Sequence, residues 1–193
     1  GTRDVIDKWP EKDNCRVIDI TTLGSRPSAP DGQQSREIIN GNNRDSTALT
    51  YTRRIYAMLF ADIVGFSKLN EKDYIAFHRF MNHVADQLEQ LPVKPVFINT
   101  WGDGLFVVME TALDLMEFAF CLRDAVKTGE FKTFGLPAEM DIRIALHAGP
   151  VFEIQDPITR RQNIYGSHVN RAARLEPVTL SGHVYACEQY VSQ

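Results

Sequence analysis

The chain has 193 residues, with 21 Lys and Arg against 25 Asp and Glu and a formal net charge of −4. That balance argues against a general nucleic-acid coat, and the length fits one domain with room for an arm. No run approaches the ~18 apolar residues of a membrane span, residues 1–20 lack the apolar core of a secretory signal, and the three cysteines, Cys15, Cys121 and Cys187, form no CxxC pair; a reduced, cytoplasmic setting with no membrane, nucleic-acid or structural-zinc partner is expected.

Residues 1–51 are expected to be a polar arm or linker and residues 52–193 the compact domain. Thr21–Thr50 is dense in Gly, Ser, Pro, Asn, Asp and Arg and carries too little apolar surface to offset the entropy of ordering it. Within the arm only Cys15–Ile20 (CRVIDI) reads as a short strand. The run Ile55–Phe60 (IYAMLF) predicts a strand buried on both faces. It leads to Asp62, a carboxylate that needs a partner or a metal if buried. The turn Val64-Gly65-Phe66-Ser67 follows, and Gly65 can take a backbone angle that other residues avoid. A strand that ends in Asp and turns through exposed amides can hold a cation and an anion side by side.

Asn70 reads as the N-cap of a helix with Tyr74, Phe77, Met81, Val84, Leu88 and Leu91 on one face, ended by Pro92 and Pro95. Val96–Ile98 and Leu105–Met109 flank Asp103-Gly104, a hairpin signal. If these strands lie beside the first, Asp103 and Asp62 converge, and two carboxylates on neighbouring strands can clamp divalent ions. On turn chemistry alone, Asp103 reads as a turn residue.

A second helix is predicted over Thr111–Lys127, capped by Thr111 and apolar nearly all round. Asp141–Ala148 alternates as a strand, Gly149-Pro150 is expected to turn or bulge the chain, and Val151–Ile154 is a further strand. A polar loop, Asp156–Arg161, leads to a third helix from Ser167 to Glu176, closed by Pro177, and Gly182–Ala186 reads as a last strand. The order predicts an α+β fold, a mainly antiparallel sheet with helices packed on one face. On the third helix Asn170 and Arg174 are spaced i, i+4 and share a face. An amide and a guanidinium projected together suit orienting a hydroxyl and neutralising a phosphoryl oxyanion, or form a solvated polar stripe. His78 and His83 are five apart and cannot share a face cleanly, and the histidines suggest no metal site.

FADIVGFSKL, NTWGDGLFVVM, RIALHAGPV and YGSHVNRAARLE occur in this order. Together they resemble the class III nucleotidyl cyclase catalytic domain, the family of adenylate and guanylate cyclases, over about residues 52–190. The resemblance implies a ferredoxin-like cyclase fold and two divalent cations, Mn²⁺ or Mg²⁺, on Asp62, Asp103 and the Ile63 carbonyl. It implies phosphate contacts from the amides of Val64, Gly65 and Phe66. Asn170 would fix the ribose and Arg174 would meet charge growing on the α-phosphate. In the family these two come from the other subunit, so a head-to-tail homodimer with two composite sites is implied, converting a nucleoside triphosphate to a 3′,5′-cyclic nucleotide and pyrophosphate.

Two positions that select the purine in the family carry Asn99 and Asn163 here, which match neither the adenine nor the guanine pattern. Asn donates and accepts, as a pyrimidine edge requires. Trp101 shares a strand face with Asn99 and can narrow the base pocket, or it packs the hairpin. The pattern looks like the stand-alone pyrimidine cyclases of bacterial antiphage signalling, which implies UTP as substrate, cUMP as product and a separate effector that reads it. Arg160 or Arg161 is a further candidate phosphate contact. The alternatives are an adenylate cyclase making cAMP and a degenerate module that binds nucleotide and dimerises without turnover. A diguanylate-cyclase or polymerase palm lacks its hairpin motif here and leaves Asn170 and Arg174 unexplained.

Overall fold

The computed structural model describes residues 17–21 and 51–192. Its strands are β1 (Val17–Asp19), β2 (Tyr51–Val64), β3 (Phe97–Trp101), β4 (Gly104–Met109), β5 (Asp141–Gln155), β6 (Gln162–Tyr165) and β7 (Val184–Cys187). The α-helices are α1 (Asp73–Glu89), α2 (Ala112–Gly129), α3 (Ser167–Leu175) and the short α4 (Glu188–Val191). Strand order is β1-β7-β5-β2-β4-β3, with β6 also paired to β5. Only β5 and β7 run parallel, so the sheet is mainly antiparallel, as expected.

The two-residue period of a strand sorts β2 onto two faces. Ala57, Leu59, Ala61 and Ile63 join the main core with Phe77, Phe80 and Val84 of α1 and Leu115, Phe118 and Leu122 of α2. Tyr56 and Met58 face the other way, into a smaller cluster with Phe106, Val108, Val151, Ile164 and Ala172 of α3. The two long helices therefore share one face, and α3 rests on the other. Phe80, outside the predicted helix stripe, is fully buried and stacks on Phe131 with ring centroids 4.2 Å apart. Gly129 makes room for it: a Cβ there would lie 2.9 Å from the Phe80 ring.

Several local expectations are corrected. The first strand is longer than its apolar run, and Asp62 lies inside it, paired in register with Arg143 of β5. Gly149-Pro150 makes no turn. β5 runs straight through, pairing Tyr56 with Gly149 and Ile55 with Pro150. Pro150 falls between the β5 segments that pair with β7 (Ile144–Leu146) and β6 (Phe152–Gln155), a gap where a missing N–H costs least. The hairpin turn is Gly102-Asp103 rather than Asp103-Gly104, because Gly102 takes the left-handed angle (φ +71°) and Gly104 already pairs with Trp101. Asn70 does not cap α1 with its side chain; instead the Asp73 carboxylate accepts from the Asn70 backbone N–H at 3.0 Å. β6 was hidden in a stretch read as loop and helix start. Thr111 does cap α2, accepting from the Asp114 N–H at 3.1 Å.

Of the predicted arm, Val17–Thr21 is part of the fold. β1 lies along β7, Ile20 is buried, and Arg123 of α2 donates to the Thr21 carbonyl at 2.8 Å. The rest of the predicted arm or linker lies outside the described residues. Among the described residues no helix is long and apolar enough to cross a membrane.

Candidate active site

The face of β2 opposite the long helices carries Tyr56, Met58, Phe60 and then Asp62. The same face of β5 carries Arg143, since the two residues are register partners. An Arg143 Nη2 donates to Asp62 Oδ2 at 2.7 Å. The Nε side of the same guanidinium contacts Glu176 Oε1, in the short 3-10 turn that continues α3. Nε and Oε1 are both buried and make no regular hydrogen bond, so the ion contact is what offsets their desolvation.

Asp103 joins this group from the hairpin tip. β4 pairs with β2 only as far as Ala61 opposite Leu105, so the turn just before β4 sits beside the continuing end of β2. Burial, and then the charge of Asp62 close by, push Asp103 up to about 6 against the pull of Arg143. Burial also raises Glu176; Arg143 opposes the rise, and Asp62 and Asp103 add to it. Three carboxylates thus share one guanidinium. This excess of negative charge on hard oxygen donors fits divalent cations, which bind through one or two carboxylates and complete their shell with phosphate oxygens. Among the described residues no set of three or more His, Cys, Asp or Glu is arranged to hold a metal ion.

The other candidates fall in two groups. Ile63 and Val64 are the last residues of β2, opposite Ile142 and Asp141. Gly65 follows in the left-handed region (φ +95°) and starts the 3-10 turn Phe66–Lys68, with Met140 closing in behind it. Asn99 and Trp101 lie on β3, on the face that carries Phe97. Trp101 is 53% exposed, its ring leaning on Phe60 with centroids 6.2 Å apart and crossing Gly104, where a Cβ would meet the indole nitrogen at 2.7 Å. Phe60 in turn stacks on Phe106 at 4.5 Å.

Asn163 is elsewhere. It sits on β6, across β5, β2 and β4 from β3, and its amide oxygen accepts from the Ile164 N–H at 2.8 Å. One chain therefore does not bring Asn99 and Asn163 together. Asn170 and Arg174 are exposed on α3, and the cation acting on Asp103 is Arg143. Arg160 and Arg161 lie at the exposed Asp156–Arg161 loop, away from the carboxylates.

Sequence reasoning missed Arg143 and Glu176. Each had a signal: Arg143 is a charge set between Ile142 and Ile144, on the face opposite theirs, and Glu176 ends the YGSHVNRAARLE motif. It also missed a histidine pair that seats α3. His147 of β5 is buried, its Nε2 lies 2.9 Å from His168 Nδ1, and its Nδ1 lies 2.6 Å from Cys187 Sγ. Gly149 leaves the notch that His168 fills, since a Cβ there would come within 2.1 Å of its ring. Burial, then His168 and Arg171, pull His147 down to about 4. A histidine held neutral binds fewer protons folded than unfolded. Its contribution is therefore complete above the ordinary value near 6.5 and lost as pH falls from there toward 4. The melting midpoint is expected to fall by about 5 °C across that window. A His147→Gln variant should show a flatter acid limb by circular dichroism.

A paired carboxylate with one guanidinium on a sheet face suits divalent cations and a polyphosphate. The chain belongs to the adenylate and guanylate cyclase catalytic domain family, whose model matches residues 51–192. It is 32% identical over 136 residues to the adenylate cyclase 3 candidate of Rhizobium meliloti (strain 1021), a match covering 68% of this chain and 22% of that protein. Among solved structures it is similar in fold to the adenylyl cyclase CyaB from P. aeruginosa, with a TM-score of 0.66, 18% identity, and 75% of this chain and 82% of that one covered. A guanylyl cyclase gives a TM-score of 0.62 at 20% identity, covering 72% of this chain and 78% of its own. The family comprises the catalytic domains of nucleotidyl cyclases, and the chain spans 22% of the length of its Rhizobium relative.

Proposed function

We propose that this chain is an active nucleotidyl cyclase that converts UTP to cUMP and pyrophosphate in a homodimer with two composite sites. The observation that carries the cyclase reading is the convergence of Asp62, from a strand, and Asp103, from a hairpin turn, into one undercompensated acidic site. Asp62, Asp103 and the Ile63 carbonyl would hold two divalent cations. When bound, these supply Lewis-acid activation of the ribose 3′-hydroxyl and charge neutralisation on the triphosphate.

The residues of the chain do the rest. The amides of Val64, Gly65 and Phe66 would contact the phosphate oxygens, with the Arg143 guanidinium close to Asp62. The 3′-oxygen forms a bond to the α-phosphorus, the bond to the bridging oxygen of pyrophosphate breaks, and the hydroxyl proton leaves to solvent. Asn170 from the second copy holds the ribose so that this approach is in line, and Arg174 meets the negative charge that grows on the α-phosphate. The exposure of both side chains on α3 supports their serving a partner rather than their own sheet. The product is read by a separate effector.

The base assignment rests on Asn99 and Asn163, each able to donate and accept, and on Trp101, whose indole stands on the face beside Asn99 and takes up room a second purine ring needs. Because β3 and β6 lie on opposite sides of the sheet centre, the two asparagines meet a single base only across a dimer. A mismatched hydrogen bond in a buried site costs about 1–3 kcal/mol, so two mismatches separate substrates by roughly a hundredfold or more. In competition among ATP, GTP, CTP and UTP at equal concentration, cUMP should dominate, with cCMP next. Dominant cAMP would instead support the second reading, an adenylate cyclase, which the name of the Rhizobium relative favours.

A further inference from the structure

We infer that Glu176 is a positioning residue that ties the occupancy of the carboxylate pair to the placement of α3, through Arg143. The inference rests on the reading that Asp62 and Asp103 take divalent cations and that α3 completes a partner's site.

The chain of contacts is continuous. Asp62 holds one side of the Arg143 guanidinium at 2.7 Å, and Glu176 holds the Nε side through a buried ion contact. Glu176 directly follows α3 and lies two residues beyond Arg174 and six beyond Asn170. The same protomer therefore links its own acidic site to the helix that carries the amide and guanidinium. With the carboxylates free of cations, Arg143 is shared between Asp62 and Glu176. A divalent cation on Asp62 and Asp103 competes for the same carboxylate oxygens and repels the guanidinium. Arg143 is then left with Glu176 as its counter-charge, the contact tightens, and the C-terminal end of α3 is fixed. In a dimer whose α3 serves the opposite site, filling one site orders the helix needed at the other.

The test is hydrogen–deuterium exchange on the full chain, followed in peptides covering Val169–Leu175, with and without Mn²⁺. Binding of Mn²⁺ is measured in the same samples by electron paramagnetic resonance. In the parent protein Mn²⁺ should slow exchange in α3 by about tenfold. In Glu176→Gln, which keeps an acceptor for Arg143 but removes the charge, Mn²⁺ should still bind while its effect on α3 falls to less than about twofold. A merely structural role for Glu176 would change the basal exchange of α3 but leave the Mn²⁺-dependent increment intact, and that result overturns the inference. Mn²⁺ binding with no change in α3 of the parent protein overturns it too. Absence of Mn²⁺ binding overturns the metal reading and this inference together.

Discussion

Asp62→Ala and Asp103→Ala are each expected to abolish cyclisation while leaving the fold intact. Each removes one of the two carboxylates on which the cations depend, so the loss should reach about a thousandfold, or roughly 4 kcal/mol of barrier. The fold survives because neither carboxylate is its partner's sole support. Arg143 keeps Glu176 when Asp62 is removed. Asp103 is pushed up to about 6 partly by the like charge of Asp62, so its removal relieves repulsion. The melting midpoint of Asp103→Ala should equal or exceed that of the parent. Near-parental turnover of either variant with Mn²⁺ present would contradict the two-carboxylate assignment.

Asp62→Ala and Arg174→Ala, each inactive alone, are expected to recover activity when mixed. The carboxylates lie at the junction of β2, β4 and β5, whereas Asn170 and Arg174 are exposed on α3. In a head-to-tail dimer these belong to different sites. A mixed dimer then places both damaged residues in one site and leaves the other whole. With free exchange at equal concentrations, half of the dimers are mixed and each has one working site of two, so about a quarter of parental activity returns. Subunit exchange is checked by co-purification of differently tagged chains. A mixture that exchanges and stays inactive places the site within one chain.

Much of this was legible in the sequence because alternation is a strong physical signal. The period of two placed Asn99 and Trp101 together on one strand face. Convergence of Asp62 and Asp103 was conditional on the hairpin strands lying beside the first strand, and β4 does pair with β2. What the sequence could not show was register. Arg143 faces Asp62 only because Ile63 pairs with Ile142, a long-range alignment that no local pattern encodes. Gly149-Pro150 misled for a similar reason, since breaker chemistry is local while the strand is held by fourteen residues of β2 across it. Glu176 read as a helix end because its partner lies on another element. His168 was passed over because the notch at Gly149 exists only in the folded sheet.

The most direct measurement of the central claim is to incubate the protein separately with ATP, GTP, CTP and UTP in the presence of Mn²⁺ and identify the products by mass. The account predicts a 3′,5′-cyclic nucleotide and one equivalent of pyrophosphate, most abundantly from UTP. Recovery of all four triphosphates intact, from protein shown to be folded, dimeric and loaded with Mn²⁺, would contradict it and leave a nucleotide-binding module without turnover.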